Sequence, residues 1–307
     1  MATSASTTTT TSKPQPTQVE MQTSQPPRGP VTATLNFYAP PPDNSAPFNH
    51  VDTPPAGLPQ RNFSDSPKQV TISDVRDSGA SSFTLDNDAF AVLQNQPPSS
   101  STIDFTSNSS IEETYYPEIE SLLLKHVPGS NKVIIFDHTI RRQDPSAPRS
   151  PVQRVHIDQT AVSAAVRVRR HASSEAEAED LLANTRYRII NVWRTLNKDP
   201  LESFPLAFAS SSTLSDDDIV PVQHRYNSGF VGQTAAIKYN PGQKWYYISG
   251  ITSDERILLE CFDSDSLKGG SQVKGGRVAH TAFADPRTRP DAEGRESIEV
   301  RALVFGP

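Results

Sequence analysis

The sequence predicts a mainly β fold with flanking helices, and three observations lead there. After about residue 185, short apolar segments recur with turn signals between them: RIINVWRTL, PLAFAS, QTAAIKY, KWYYISGI, RILLECFDS, RVAHTAF and SIEVRALVF. Many short strands at such spacing point to a sandwich, a barrel or a jelly roll. Only two stretches carry helical periodicity with a capping signal, and no internal repeat occurs.

Along the chain, residues 1 to 30 are Thr-, Ser-, Pro- and Gln-rich with almost no large apolar side chains. Such a composition cannot bury enough surface to offset ordering entropy, so this stretch reads as a disordered tail. Residues 31 to 307 then form a single domain, within which 31–110 is an irregular, proline-punctuated lead-in and 111–307 the β core with its helices. VTATLNFY (31–38) and QVTISDV (69–75) alternate like strands. A capping box of Ser110 and Glu113 opens a helix carrying Ile111, Tyr115, Ile119, Leu122 and Leu123, which Pro128-Gly129 ends. KVIIFDHTI (132–140) is β-branched and strand-like. VQRVHID (152–158) is a second strand, and SSEAEAEDLLANTRYRII (173–190) a second helix capped by Ser174 and Glu177.

Composition excludes several classes. No apolar segment of secretory type follows Met1, and no run of about 18 apolar residues could span a membrane. The single cysteine, Cys261, cannot form an internal disulfide, which fits a reducing, cytoplasmic setting. A net charge of -6 with interspersed signs argues against a nucleic-acid surface. Oligomeric state is not readable from the sequence.

Residues i and i+2 of a strand share a face, so His156 and Asp158 in VHID present an imidazole beside a carboxylate. A third, distant histidine would complete two nitrogens and one carboxylate oxygen on one side of a metal. Three positions then stay open, as ferrous oxygenases need, whereas zinc sites are closed or keep one open position. The His-x-Asp pattern is weak alone, since His50-Val51-Asp52 repeats it in a proline-flanked segment where no regular strand is expected. Among the other histidines, His126 suits a helix C-terminus, His171 a basic solvated turn and His224 a surface loop. His138, ending a buried strand, competes with His280 in GRVAHTAF.

The residues after His280 favour it. Arg295 opens the last strand, RESIEVRALVF, with Ser297 on the same face. A guanidinium fork beside a hydroxyl suits the far carboxylate of a dicarboxylate. Glu299 and Arg301 continue that face, while Ile298, Val300, Ala302 and Val304 take the other. Arg287 and Arg289 lie nearer His280 in a loop and rank second as anchors, read as solvated.

This order of His-x-Asp, distal His and Arg-x-Ser resembles the Fe(II)/2-oxoglutarate dioxygenases. VTATLNFY, KVIIFDHTIRR, VQRVHIDQT, NVWRTL, KWYYISG and RESIEVRALVF look, more closely, like the fungal AsaB-type hydroxylase/desaturase family, related to gibberellin desaturase and CmcJ-like proteins. The resemblance covers residues 31 to 307. It implies a double-stranded β-helix (jelly-roll, cupin-like) core, Fe(II) on His156, Asp158 and His280, and 2-oxoglutarate on Arg295 with Ser297. It also implies O2 and a small secondary metabolite as substrates, hydroxylated or desaturated. The gap from His280 to Arg295 is longer than the wider dioxygenase pattern, which keeps Arg287 and Arg289 in play. Trp193-Arg194, Lys244 and Trp245-Tyr246-Tyr247 are candidates to line the site or to pack the core. Two other functions compete: a catalytically silent β-barrel that binds a small molecule, and a zinc hydrolase, disfavoured because no HExxH occurs.

Overall fold

Strands form where β-branched and aromatic residues recur, and in the computed structural model, which describes residues 25–307, they pair into two sheets. In chain order among the described residues they are β1 (Val31–Ala39), β2 (Phe48–His50), β3 (Ser64–Asp74), β4 (Phe90–Leu93), β5 (Lys132–Arg142), β6 (His156–Ile157), β7 (Arg186–Thr195), β8 (Leu206–Ala209), β9 (Ile219–Arg225), β10 (Val231–Ile237), β11 (Trp245–Tyr247), β12 (Arg256–Asp263), β13 (His280–Ala282) and β14 (Glu296–Gly306). The larger sheet runs β1-β3-β11-β8-β13-β6-β10-β9-β2 and the smaller β4-β12-β7-β14-β5. Curled face to face, with most neighbours antiparallel, they make the expected jelly-roll type of core.

The smaller sheet is covered on both faces, and its sequence shows it. Every residue of β12 is buried, which is why RILLECFD reads as an apolar run rather than an alternation. On β14 the alternation is kept. Ile298, Val300, Ala302 and Val304 pack outward against Ile119 and Leu123 of the helix Tyr116–His126. Leu303 and Phe305 face the larger sheet with Ile157 and Ile189, and Ser297, Glu299 and Arg301 extend that inner face.

Several elements differ from the sequence reading. The Ser110–Glu113 box does not form: Ser107 caps the turn by accepting from the Ser110 amide, and the Ser110 hydroxyl accepts from the Asp104 amide at 2.9 Å. A wide turn over Ile111–Tyr115 follows, next to Pro117, which has no N–H to close a regular turn on Glu113. The expected helix at 173–190 is Glu175–Asn184, capped by Ser174 accepting from the Glu177 amide; its last residues belong instead to β7, whose β-branched run pairs with β12 and β14. A further helix, Ala161–His171, stands where a basic turn is expected from the sequence, opened by a reciprocal cap between Thr160 and Ser163. VQRVHID contributes only the paired residues His156–Ile157, with Arg154 bridging Asn36.

Of the expected tail, residues 1–24 lie outside the described residues. Residues 25–30 are not free, which corrects the boundary at 30. Arg28 donates to the Ser249 carbonyl at 2.7 Å, the Gly29 amide to Asp74 Oδ2 at 3.0 Å, and Tyr247 to the Gly29 carbonyl at 2.6 Å. Backbone groups need partners even where side chains offer little apolar surface. The folded unit therefore begins before Val31.

Leu123 has no exposed surface and lies against the outer face of β14. Leu123→Ala is expected to cost about 2–5 kcal/mol through lost burial and the cavity left behind. Leu124→Ala, at a 40% exposed neighbour on the same helix, is expected to stay within about 0.5 kcal/mol. Urea denaturation midpoints check the pair; equal shifts would mean the helix does not seal the sheet.

Candidate metal centre

The cradle is built by strand pairing. His280 on β13 is directly opposite His156 on β6, and their ring centroids stand 4.4 Å apart. Asp158, two residues on from His156, returns to the same face. One ligating atom from each of His156, Asp158 and His280 lies within 4.8 Å of the others. The expected trio is thus brought together, and His138 is not part of it. His138 lies on β5 with its Nδ1 2.8 Å from the Tyr116 hydroxyl and its Nε2 3.2 Å from Asn108 Oδ1.

The orientation of each donor is set by its other contacts. His156 Nδ1 sits 2.8 Å from the Arg154 carbonyl, and His280 Nδ1 3.3 Å from the Val278 carbonyl. A carbonyl only accepts, so each Nδ1 carries its proton and each Nε2 presents a lone pair. Burial, then the neighbouring His156, pushes His280 down to about 4, which keeps it neutral and ligating at pH 7. Burial alone would raise Asp158; Arg301 and the two histidines outweigh it and hold the carboxyl well below the usual carboxylate range.

Asp158 is also held from behind. Its Oδ2 accepts from Asn191 Nδ2 at 2.8 Å and from Arg301 Nε at 3.0 Å, while Oδ1 stands 3.3 Å from His156 Nε2. Arg301 further donates to Asp137 Oδ1 at 3.0 Å, to Thr139 Oγ1 at 3.0 Å and to Glu299. The register explains this. Arg301 lies between Asp137 on β5 and Asn191 on β7, and Glu299 between Thr139 and Trp193. One oxygen of Asp158 is therefore occupied by protein donors and the other faces the histidines, so the donor set is two nitrogens and one carboxylate oxygen. That set suits a non-haem ferrous ion with open positions.

Arg295 and Ser297 line the same cavity as the three ligands. Arg295 is 2% exposed, donates from Nε to Ser297 Oγ at 3.1 Å and from Nη1 to the Phe204 carbonyl at 2.9 Å, and lies 5.0 Å over the Trp193 ring. It makes no ion pair among the described residues. Burial, with Arg141 nearby, lowers it to about 9. A buried guanidinium lacking a carboxylate is costly unless a ligand supplies one. Arg287 and Arg289 do not line this cavity, and neither is simply solvated. Arg287 forks onto Asp285 at 2.9 and 2.8 Å and reaches the Tyr247 hydroxyl at 2.6 Å, and Arg289 pairs with Glu202.

The remaining candidates divide. Trp193 lines the cavity; Arg194 turns to the opposite face, over Phe105 and Tyr115. Trp245 and Tyr247 pack in the core, and Tyr246 in a neighbouring apolar cluster. His171 ends a helix with its ring stacked 5.3 Å from Phe136. His224 is not a surface loop residue: it sits half-buried on β9, its Nε2 3.0 Å from Thr234 Oγ1, in a second cavity that also reaches His156 and Asp158. The second His-x-Asp copy is divided. His50 is buried, and Asp52 accepts from the Asn227 amide. Sequence reading misses Asn191, Arg301 as a partner of Asp158, and Thr139 and Arg141 on β5. Strand alternation marks Thr139 and Arg141 as sharing a face, but which strand faces it is set by pairing alone.

Comparison with known proteins agrees with this geometry. A family model described as an oxidoreductase/YMDC permease-like domain matches residues 35–305; no helix among the described residues is long and apolar enough to cross a membrane. The chain is 37% identical to the hydroxylase/desaturase poxK of Penicillium oxalicum over 304 residues, covering 91% of this chain and 92% of the relative. It is 38% identical over 141 residues to the hydroxylase/desaturase asaB of Aspergillus flavus, covering 42% and 59%. Among solved structures it resembles an iron and alpha-ketoglutarate-dependent endoperoxidase, NvfI, with a TM-score of 0.80 and 28% identity, covering 91% of this chain and 99% of that one.

Arg301→Gln removes the charge that restrains Asp158 and is expected to weaken Mn(II) or Fe(II) binding about 10–100-fold. Anaerobic metal titration reads this directly. Unchanged affinity would show that Asp158 is positioned without Arg301.

Proposed function

The chain belongs to the fungal AsaB-type hydroxylase/desaturase family of Fe(II)/2-oxoglutarate-dependent dioxygenases, and we propose that within it His156, Asp158 and His280 hold the iron and Arg295 with Ser297 the 2-oxoglutarate. It is an oxidoreductase that uses O2 on a small-molecule substrate by hydroxylation or desaturation. The observation that carries the site assignment is the buried, ion-pair-free Arg295 in one cavity with the three ligands. The donor set fits iron, and the guanidinium fits a dicarboxylate.

Bound iron would use O2 as the oxidant for an unactivated C–H bond, with 2-oxoglutarate as the co-reductant that takes up one oxygen atom and ends as succinate and CO2. The protein's part is positioning. His156 and His280 present unprotonated Nε2 atoms; Arg301 and Asn191 fix the Asp158 carboxylate; Arg295 and Ser297 take the far carboxylate of the co-substrate. A silent binding module is disfavoured, because these buried charges are costly to keep without ligands. We further place the enzyme in the cytoplasm, on the buried free Cys261, without nucleic-acid or membrane partners.

Arg295→Lys keeps a charge but loses the fork. It is expected to raise KM for 2-oxoglutarate about tenfold or more while metal affinity stays near normal. Succinate release at varied 2-oxoglutarate is the measurement. A defect in Arg289→Lys with a normal Arg295→Lys would move the anchor into the loop.

A further inference from the structure

A second, larger cavity of about 730 Å³ meets the inner one at Arg141, Val152, His156 and Asp158. Its size is that of a small-molecule site. Charge is distributed unevenly around it. Its acids Asp137 and Asp158 are both engaged by Arg301, and its Arg154 is engaged by Asp65. Arg141, Arg149 and Arg167 also line it and make no ion pair among the described residues. Arg141 donates only to the Ser150 carbonyl at 3.0 Å, and Arg167 lies 5.0 Å over the Phe136 ring. His50 lines the same cavity, 7% exposed, with its Nε2 meeting no partner.

The rim is of opposite character. Val162 and Val166 of the helix Ala161–His171, and Phe230 and Val231 at the β9–β10 turn, are 66%, 39%, 42% and 55% exposed and border an adjoining cavity that shares Asp158, Arg167 and His224. Arg167 belongs to both cavities, so a cation stands where the apolar rim meets the polar chamber.

We propose that this cavity takes an organic acid as substrate, its carboxylate held by Arg149 and Arg167 and its apolar body against Val162, Val166 and Phe230. Arg149 and Arg167, which make no ion pair among the described residues, beside the unpartnered buried imidazole of His50, form a receptor for an anion. The inference rests on the reading of His156, Asp158 and His280 as the reacting centre, because that reading makes the adjoining cavity a substrate chamber. Arg149 is exposed on a loop and Arg167 half-buried on a surface helix, so changing them leaves the core intact.

The test uses decanoate and decan-1-ol as probes, titrated by calorimetry into the full chain without metal or 2-oxoglutarate. Decanoate is expected to bind about tenfold more tightly than the alcohol, the contribution of one charge-assisted contact. Arg149→Gln with Arg167→Gln is expected to abolish that preference and leave alcohol binding unchanged. Arg295→Lys is expected to leave it in place. Equal affinity for the two probes, binding of neither, or loss of the preference in Arg295→Lys instead of the double variant overturns the proposal. Because no iron is present, failure here is separable from failure of the metal assignment, which a metal titration decides on its own.

Discussion

The guanidinium of Arg301 is the contact on which the centre depends. It is buried and reaches Asp137 on β5, Asp158 beside β6 and Glu299 on its own strand, tying the smaller sheet to the larger one at the point where the ligands converge. Burial would favour its neutral form, but the three carboxylates hold it well above its ordinary value, so it stays charged. Without it, Asp158 would lose the first of the charges that oppose its burial and hold its carboxyl low. The strong depression of Asp158 is thus a consequence of strand pairing, since β14 can present Arg301 only if its register with β5 and β7 is kept.

Charge balance extends the argument. The inner cavity is lined by two carboxylates (Asp158, Glu299) and two guanidiniums (Arg141, Arg295), a set that is neutral as a whole. A divalent cation and a dianionic co-substrate are also neutral together, so both enter without leaving net charge in a buried site. Either alone does leave net charge, which makes each a better host for the other. The two halves are supplied by different sheets. The larger sheet carries the histidines, and the smaller sheet carries the arginines with the acids that restrain them.

Strand periodicity makes part of this arrangement legible in the sequence. His156 and Asp158, and Arg295 and Ser297, are each two residues apart, and a period of two assigns each pair to one face. The outward set Ile298, Val300, Ala302 and Val304 is readable for the same reason. Cross-strand register is not. Nothing local says that His280 lies opposite His156, or that Asn191 and Asp137 flank Arg301. Helices mislead in two ways: β7 is hidden behind Leu181 and Leu182 of the preceding helix, and the valines and arginines of Ala161–His171 mask a helix whose only local signal is the Thr160–Ser163 cap. His224 reads as a loop residue because of its proline and glutamine neighbours, yet these belong to a strand turned toward the site.

Arg141 joins the two cavities and shows how one strand serves both. On β5 it is cross-strand neighbour to Ser297, so it borders the proposed co-substrate anchor, and it also lines the larger chamber. Burial lowers its pKa, and Arg141 in turn helps to lower that of Arg295, because two buried guanidiniums repel each other. A carboxylate arriving at Arg295 offsets that repulsion and favours the charged form of both guanidiniums. Filling the inner cavity therefore stabilises the charged form of the guanidinium that both cavities share. The two cavities are thus coupled through the charge of a single β5 side chain.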